Sequence, residues 1–144
     1  MKILAVDYGD ARTGLAMCDR TEFLASPIGI IEEKSMPKVA EKIVYAAREY
    51  EAGMIVLGLP LNMDGSEGPR AQKTRKLAAI LKNILPLPVE FWDERSSTVS
   101  AASILTDNGT FGKKRKEVLD AVAATVILES YMAFRANQQK NSGG

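Results

Sequence analysis

The chain has 144 residues, of which 46% are hydrophobic and 26% charged, values that suit one domain with a sizeable core. Its formal net charge is +1, so attraction to a polyanion has to come from a local patch rather than from the whole surface. The absence of histidine excludes histidine triads, histidine general bases and most catalytic zinc sites. Cys18 is the single cysteine, and no secretory signal is visible, so we expect a cytoplasmic protein.

The first part of the chain predicts an antiparallel meander. Three short apolar segments, residues 2–7, 13–18 and 23–31, are separated by tight connections. Pro27 lies inside the third segment. Because proline cannot donate a hydrogen bond to a neighbouring strand, we expect an edge strand or a bulge there.

The period of the apolar residues then changes, and the rest of the chain mixes helices with strands. The predicted elements are a helix over 36–51, a strand over 54–58, a loop over 59–69, a helix over 70–85, a strand over 89–93, a short helix over 97–107, a basic loop over 108–117 and a helix over 118–134. This order predicts an α/β fold, in which a mixed five-stranded sheet, its three antiparallel strands first, carries helices on both faces. We expect a single domain over 1–136 and a disordered polar tail over 137–144.

Acidic residues stand where two predicted strands end. Asp7 ends the first strand and continues the face of Ile3 and Ala5, while Asp93 and Glu94 end the last strand. Loops begin at such positions, and functional sites concentrate there. An isolated aspartate at a strand end is more often a turn or capping residue, so each position alone is weak support for a site.

A third acid, Asp120, lies in a helix that is apolar on almost every side. It shares one stripe of that helix with Ala124, Ile127 and Tyr131. A buried and unpaired carboxylate is costly. Either Asp120 lies in the first turn and interacts favourably with the helix dipole, or a bound cation compensates its charge, and the residue alone leaves both interpretations open.

Taken together, the acids of two strands and a late helix predict a metal site. Oxygen ligands without histidine suit Mg²⁺ or Mn²⁺ rather than zinc. Metal ions held in this way can activate water and stabilise the leaving oxygen of an in-line phosphoryl displacement. The pattern therefore predicts a metal-dependent nuclease whose site is centred on Asp7, Asp93 or Glu94, and Asp120.

Glycine-rich turns and basic residues near these acids are candidates for substrate binding. Glycines allow close approach of the backbone, a helix N-terminus can receive a phosphate, and a basic run beside an acidic site suits a polyanionic backbone. Ordinary hairpins and solvated helix faces explain such residues equally well when each is taken alone. The candidates are Gly9, Arg12, Gly58, Pro60, Gly65, Gly68, Arg70, Lys73, Arg95, Lys113, Lys114 and Lys116.

Four motifs, in order, resemble the YqgF family, also called RuvX, of pre-ribosomal-RNA nucleases and Holliday-junction resolvase-like proteins. They are VDYGDARTGLA, GLPLNMDGSEGPRA, DERSST and DAVAATVILESY, and the resemblance extends from residue 2 to about residue 131. The resemblance implies a ribonuclease H-like fold, a cytoplasmic location and a role in maturing the 5′ end of small-subunit ribosomal RNA. The resolvase label comes from similarity to RuvC-type enzymes and is the weaker assignment.

By the same resemblance, Asp7 is the acid of the first strand, Asp93 and Glu94 belong to the DER motif, and Asp120 is the helix acid. Adjacent residues of a strand point to opposite faces, so one of Asp93 and Glu94 is expected at the metal. The sequence does not decide between them, and the longer reach of its side chain favours Glu94. Arg95 is expected to orient the DER carboxylates.

Two other classes of function remain open at this point. An ATP-using enzyme of the actin and sugar-kinase class also begins with a D-x-G hairpin, but such enzymes place nucleotide between two domains. A noncatalytic nucleic-acid-binding assembly factor would keep the basic run without needing a buried Asp120. The sequence leaves open the choice between structured RNA and branched DNA, and it leaves the oligomeric state undetermined.

Overall fold

A computed structural model describes residues 1–96 and 112–143, with side chains for 1–96 and 121–138. The strands are β1 (Ile3–Asp7), β2 (Arg12–Cys18), β3 (Ala25–Glu32), β4 (Met54–Leu59) and β5 (Val89–Asp93). The helices are α1 (Met36–Glu49), α2 (Pro69–Ile84) and α3 (Gly112–Gly143), and a 3₁₀ turn over Glu94–Ser96 follows β5. The strand order is β3-β2-β1-β4-β5, which confirms the predicted mixed sheet.

The first three strands are antiparallel, whereas β4 and β5 are parallel to β1. The prediction for Pro27 is confirmed on both counts, because β3 is an edge strand and its register with β2 shifts between Leu15 and Ala16. Gly29 occupies a left-handed backbone conformation on the same short stretch, with φ of +146°. The irregularity therefore falls where the sequence supplies both a proline and a glycine.

Two hydrophobic clusters lie on opposite faces of the sheet. On one face, Leu4, Val6 and Leu57 pack against buried residues of α1 and α2. On the other face, Ile3 and Ala5 pack with the apolar side of α3. Alternation along β1 therefore sends successive residues to the two clusters, as a strand covered on both faces requires.

Helix α3 packs across β1, β2 and β3. A cluster of three aromatic side chains joins it to β5. The ring of Trp92 contacts the rings of Tyr131 and Phe134, with centroids 5.6 and 5.3 Å away. The indole N–H of Trp92 donates to Ser130 Oγ at 3.1 Å, and the Ser130 hydroxyl donates to the carbonyl of Ser96 at 3.2 Å. These contacts fix the end of β5 and the turn after it against α3.

Two sequence predictions differ from the structure in the last part of the chain. Helix α3 begins at Gly112, so the basic run 113–116 belongs to the helix and not to a loop. The helix also continues to Gly143, through the segment for which disorder was predicted. Its glutamines and lysine are good helix formers, and they extend a helix that is already nucleated. The short helix predicted over 97–107 lies outside the described residues for its whole length.

None of the helices described is both long enough and apolar enough to cross a membrane.

An ion pair joins the far end of α3 to the β2–β3 turn. Arg135 donates from Nε to Glu22 Oε1 at 2.6 Å and from a terminal nitrogen to Glu22 Oε2 at 3.2 Å. The N-terminal amino group of Met1 also donates to Glu22, which has a left-handed backbone with φ of 55°. The hydrogen bonds from Arg135 hold the pKa of Glu22 below its ordinary value of 4.5.

We predict that the ion pair between Glu22 and Arg135 makes the free energy of unfolding decrease as the pH falls into the acid range. A carboxylate whose pKa is lowered by folding stabilises the native state above its unfolded pKa, and the contribution disappears as the pH falls through the folded value. Glu22→Gln should cost about 1–2 kcal/mol of unfolding free energy at pH 7 and much less near pH 3. Chemical denaturation at both pH values measures this, with the exposed Glu49→Gln as the control. An equal loss at the two pH values contradicts the prediction.

Candidate active site

The acids at the strand ends meet at one edge of the sheet. Strands β1, β4 and β5 are parallel, so their carboxyl ends share that edge. Asp7 is the last residue of β1, and Glu94 opens the 3₁₀ turn directly after β5. The two acids therefore flank the end of β4, which lies between their strands. The motifs predict Asp7 and the DER acids at neighbouring strand ends; the structure brings these ends to one edge, but with β4 between β1 and β5.

The carboxyl groups of Asp7 and Glu94 are hydrogen-bonded to each other. A hydrogen bond between two carboxyls requires a proton on one of them. Burial raises the pKa of Glu94 above its usual range, whereas the hydrogen bond with Asp7 and the positive charge of Arg70 act in the opposite direction. Asp93 adds a smaller upward effect on the same pKa. The two acids are therefore partly buried side by side, and the positive charge of Arg70 acts on Glu94.

Glycine occupies the positions beside Asp7 on both neighbouring strands. Gly14 of β2 lies directly opposite Asp7. On β4, the register that pairs Val6 with Leu57 places Gly58 next to Asp7. A Cβ atom at Gly58 would lie 3.1 Å from Glu94 Cγ, so Glu94 crosses the strand where Gly58 has no side chain. The sequence predicted a strand that ends at Gly58, whereas β4 continues to Leu59 and makes Gly58 an interior residue.

The Asp93 carboxylate is bound by Arg95. Arg95 donates from Nε and a terminal nitrogen to the Asp93 carboxylate, at distances between 2.7 and 3.1 Å. These hydrogen bonds lower the pKa of Asp93. Arg95 also donates to the carbonyl of Met63 at 3.2 Å, which ties β5 to the loop before α2. The geometry thus places Glu94, and not Asp93, beside Asp7.

The loop between β4 and α2 has its own hydrogen bonds. The Asn62 N–H donates to the carbonyl of Ser66, and the Gly65 N–H donates to the carbonyl of Asn62. The Asp64 carboxylate accepts from both the backbone N–H and the hydroxyl of Ser66. Gly65 has a φ of +89°, which explains glycine at this position of the turn. Of the predicted binding residues, Pro60, Gly65 and Gly68 lie in this loop or at its junction with α2.

The remaining candidate residues with described side chains lie around the first hairpin and the start of α2. The backbone of Gly9 lies close to the carbonyl oxygen of Arg12. A Cβ atom at Gly9 would be only 2.3 Å from that oxygen, so this position requires glycine. Arg12 lies 4.0 Å from Glu32, and Lys73 forms a 3.2 Å ion pair with Asp10. Both pairs are at the surface and contribute little to stability. Arg70 is exposed in the first turn of α2.

The third predicted acid falls outside the part of the structure in which side chains are described. Asp120 and the basic residues Lys113, Lys114 and Lys116 belong to α3 by their backbone, and their predicted roles stay predictions. Among the side chains described, no group of three or more acidic or cysteine residues is arranged to hold a metal. The described site therefore consists of two carboxylates, with Arg70 close to Glu94.

Sequence reasoning missed the role of Ile127. Its side chain reaches the same point of β4, and its Cδ1 atom would lie 2.5 Å from a Cβ at Gly58. The apolar stripe predicted for α3 contained Ile127, but nothing in the sequence showed which strand residue it contacts.

The chemistry of the pair suits a hard cation. Two carboxylates in contact repel each other when both are ionised, and this cost is removed either by a proton or by a metal ion. Mg²⁺ is commonly held by one or two carboxylates and completes its coordination with water and substrate phosphate. The oxygen-only donor set of Asp7 and Glu94 fits Mg²⁺ or Mn²⁺ and does not suit zinc.

Solved structures of resolvases share the fold. The T. thermophilus RuvC in complex with a Holliday junction superposes with a TM-score of 0.60 at 10% identity, covering 93% of this chain and 96% of that one. The fowlpox virus Holliday junction resolvase gives a TM-score of 0.53 at 16% identity, covering 92% and 99% of the two chains. At these identities the likeness concerns the fold alone, and it confirms the predicted ribonuclease H-like class.

Proteins of similar sequence identify the family to which the chain belongs. A protein of Pelotomaculum thermopropionicum is 38% identical and covers 100% of this chain and 94% of its own. One of Halothermothrix orenii is 42% identical, covering 94% and 96%, and one of Cereibacter sphaeroides is 45% identical, covering 90% and 81%. Each is named "Putative pre-16S rRNA nuclease". The family model described as "RuvX: Holliday junction resolvase" matches residues 1–133, so the chain belongs to the RuvX family, as its motifs predicted.

Proposed function

We propose that this protein is a divalent-metal-dependent nuclease that hydrolyses phosphodiester bonds in precursor small-subunit ribosomal RNA. The observation that carries the proposal is the contact between Asp7 and Glu94 at the carboxyl edge of the sheet. Family membership and the names of the relatives support the reaction class and the RNA substrate.

Asp7 and Glu94 would hold Mg²⁺ or Mn²⁺, with Asp120 of α3 as the third acid. Such an ion supplies Lewis-acid stabilisation of the charge that develops on the phosphoryl and leaving oxygens. Both carboxyls would have to be ionised to act as ligands, and because burial raises the pKa of Glu94, a bound cation would favour its ionised form. Asp93 is proposed to act indirectly, through the position that it gives to Arg95 and the β5 turn.

Basic residues around the acid pair would hold the substrate backbone. Arg70 is one of them, since its charge already lowers the pKa of Glu94. Arg12 and Lys73 would exchange their weak surface partners for phosphates, and the run 113–116 would add a second group of contacts. Phosphate contacts carry little sequence information, so recognition would depend on the shape of the nucleic acid.

Branched DNA is the second candidate substrate, because the family model that matches this chain is described by Holliday junction resolution. We predict faster cleavage of a precursor RNA fragment that spans the 5′ boundary of the small-subunit RNA than of a four-way DNA junction of equal length. Cleavage rates with Mg²⁺ and with Mn²⁺ measure the preference. Faster cleavage of the junction would assign the protein to DNA, and binding without cleavage of either substrate would favour a noncatalytic assembly factor.

Removing either carboxylate of the pair should abolish cleavage. We expect Asp7→Asn, Glu94→Gln and the predicted third-acid variant Asp120→Asn each to lower the cleavage rate by more than about 100-fold, beyond the effect usual for residues that only support metal ligands. Nucleic-acid binding should stay near normal or become slightly tighter, because a negative charge is removed. Single-turnover cleavage and binding titrations measure the two effects.

Two matched controls separate this site from its surroundings. Asp10→Asn removes an exposed carboxylate only three positions from Asp7 and should leave the cleavage rate unchanged. Asp93→Asn should retain more activity than Glu94→Gln, because the Asp93 carboxylate is bound to Arg95. If Asp93→Asn is the more damaging of the two, the assignment of Glu94 is wrong.

The basic run should contribute to binding rather than to the chemical step. We expect the combined change of Lys113, Lys114 and Lys116 to glutamine to weaken binding and to flatten its salt dependence. For every substrate phosphate that a lysine no longer neutralises, the log–log slope should fall by up to about 0.9 for duplex DNA or about 0.7 for a single strand.

The control for this experiment is the triple variant of Lys2, Arg20 and Arg48 to glutamine. It changes the net charge equally at the opposite edge of the sheet. Binding isotherms at several salt concentrations measure both slopes. An equal change in the two triple variants would mean that overall charge, and not the basic run, attracts the substrate.

A further inference from the structure

Gly58 is the point at which α3, β4 and the turn after β5 meet. A Cβ atom at this residue would lie 2.5 Å from Ile127 Cδ1, 3.1 Å from Glu94 Cγ and 3.2 Å from Glu94 Cδ. Ile127 belongs to the packed face of α3 and is 2% exposed. Glu94 carries one carboxyl of the acid pair. The space that a side chain at Gly58 would fill is thus occupied by the side chains of Ile127 and Glu94, which have different roles.

The backbone gives no reason for glycine at this position. Gly58 lies in the regular part of β4, where its register with Trp92 of β5 is continuous with that of its neighbours. The glycines with positive φ in the described chain are Gly29 and Gly65. Glycine in a strand interior weakens the strand, because it adds conformational entropy to the unfolded chain and packs no side chain. What this position requires is therefore space and not a special conformation.

We propose that Gly58 is a positioning residue, whose lack of a side chain lets Glu94 reach across β4 to Asp7. The consequence for catalysis rests on the proposed nuclease function, whereas the positioning itself is a property of the fold. A Cβ at Gly58 would force the Glu94 side chain to shift by a few tenths of an ångström, and small displacements at a reacting centre are costly to rate. This role differs from substrate contact, because Gly58 acts through the carboxylate of Glu94.

The two contacts at Gly58 can be separated by mutation. Ile127→Val removes Cδ1, the only atom of Ile127 among the three nearest to the added Cβ. Gly58→Ala combined with Ile127→Val therefore relieves the conflict with α3 and keeps the conflict with Glu94. If Gly58 served only the packing of α3, the double variant would recover both stability and site geometry. If it positions Glu94, stability alone would recover.

The experiment compares the parent protein with Gly58→Ala, Ile127→Val and the double variant. Thermal unfolding, Mn²⁺ binding by calorimetry, cleavage of the precursor RNA fragment and crystal structures are measured for each. We expect Gly58→Ala to lower the melting temperature and the double variant to recover most of that decrease. In the double variant the Glu94 carboxyl should be shifted from its parent position beside Asp7, and Mn²⁺ affinity and cleavage rate should each fall by at least about tenfold. Ile127→Val alone should bind and cleave like the parent.

A crystal structure of the double variant in which Glu94 keeps its parent position beside Asp7 would overturn the proposal. So would a double variant that binds Mn²⁺ and cleaves as the parent does. If the parent itself neither binds Mn²⁺ nor cleaves, the proposed function fails. The position of Glu94 in the crystal structures then still decides whether Gly58 sets it, so the two failures are distinguishable.

Discussion

The contact between the carboxyls of Asp7 and Glu94 depends on the order of the strands. Because β1 and β5 lie on either side of β4 and run parallel to it, their last residues reach one edge with a single strand between them. Neighbouring strands are about 4.8 Å apart, so the flanking strands are separated by roughly twice that distance. Two acidic side chains can bridge such a gap only if the strand between them has no side chain in the way. Gly58 meets this condition.

Holding the carboxyls of Asp7 and Glu94 next to each other lowers the stability of the folded protein. Burial raises the pKa of Glu94, which means that its ionised form is disfavoured in the folded protein. The surrounding structure holds the pair in place all the same: Trp92 and Ser130 fix the turn that carries Glu94, and the apolar face of α3 covers β1. An unfavourable electrostatic arrangement held by well-packed neighbours is what a binding site for a cation requires, and it is hard to explain as a device for folding.

The sequence predicted the elements better than the contacts between them. Apolar runs, the change of period after residue 31 and Pro27 were enough for the mixed sheet, since it depends on local pattern and on few connection rules. The choice between Asp93 and Glu94 could not be made, because it depends on where the chain leaves the strand and enters a 3₁₀ turn. The space at Gly58 was missed for a related reason. Glycine next to Leu59 and Pro60 has the composition of a strand end, and only the register shows that it lies within β4.

The adjacent acids Asp93 and Glu94 have different surroundings, because Asp93 ends β5 and Glu94 begins the 3₁₀ turn. Arg95 lowers the pKa of Asp93 and keeps it charged, while burial raises the pKa of Glu94. Groups whose environments move their pKa values apart usually have different functions. The charged Asp93 has a fixed partner in Arg95, which also binds the carbonyl of Met63, so its role is to join β5 to the loop before α2. Glu94 instead lies beside the carboxyl of Asp7, where two ionised carboxylates would repel each other unless a proton or a cation compensates them.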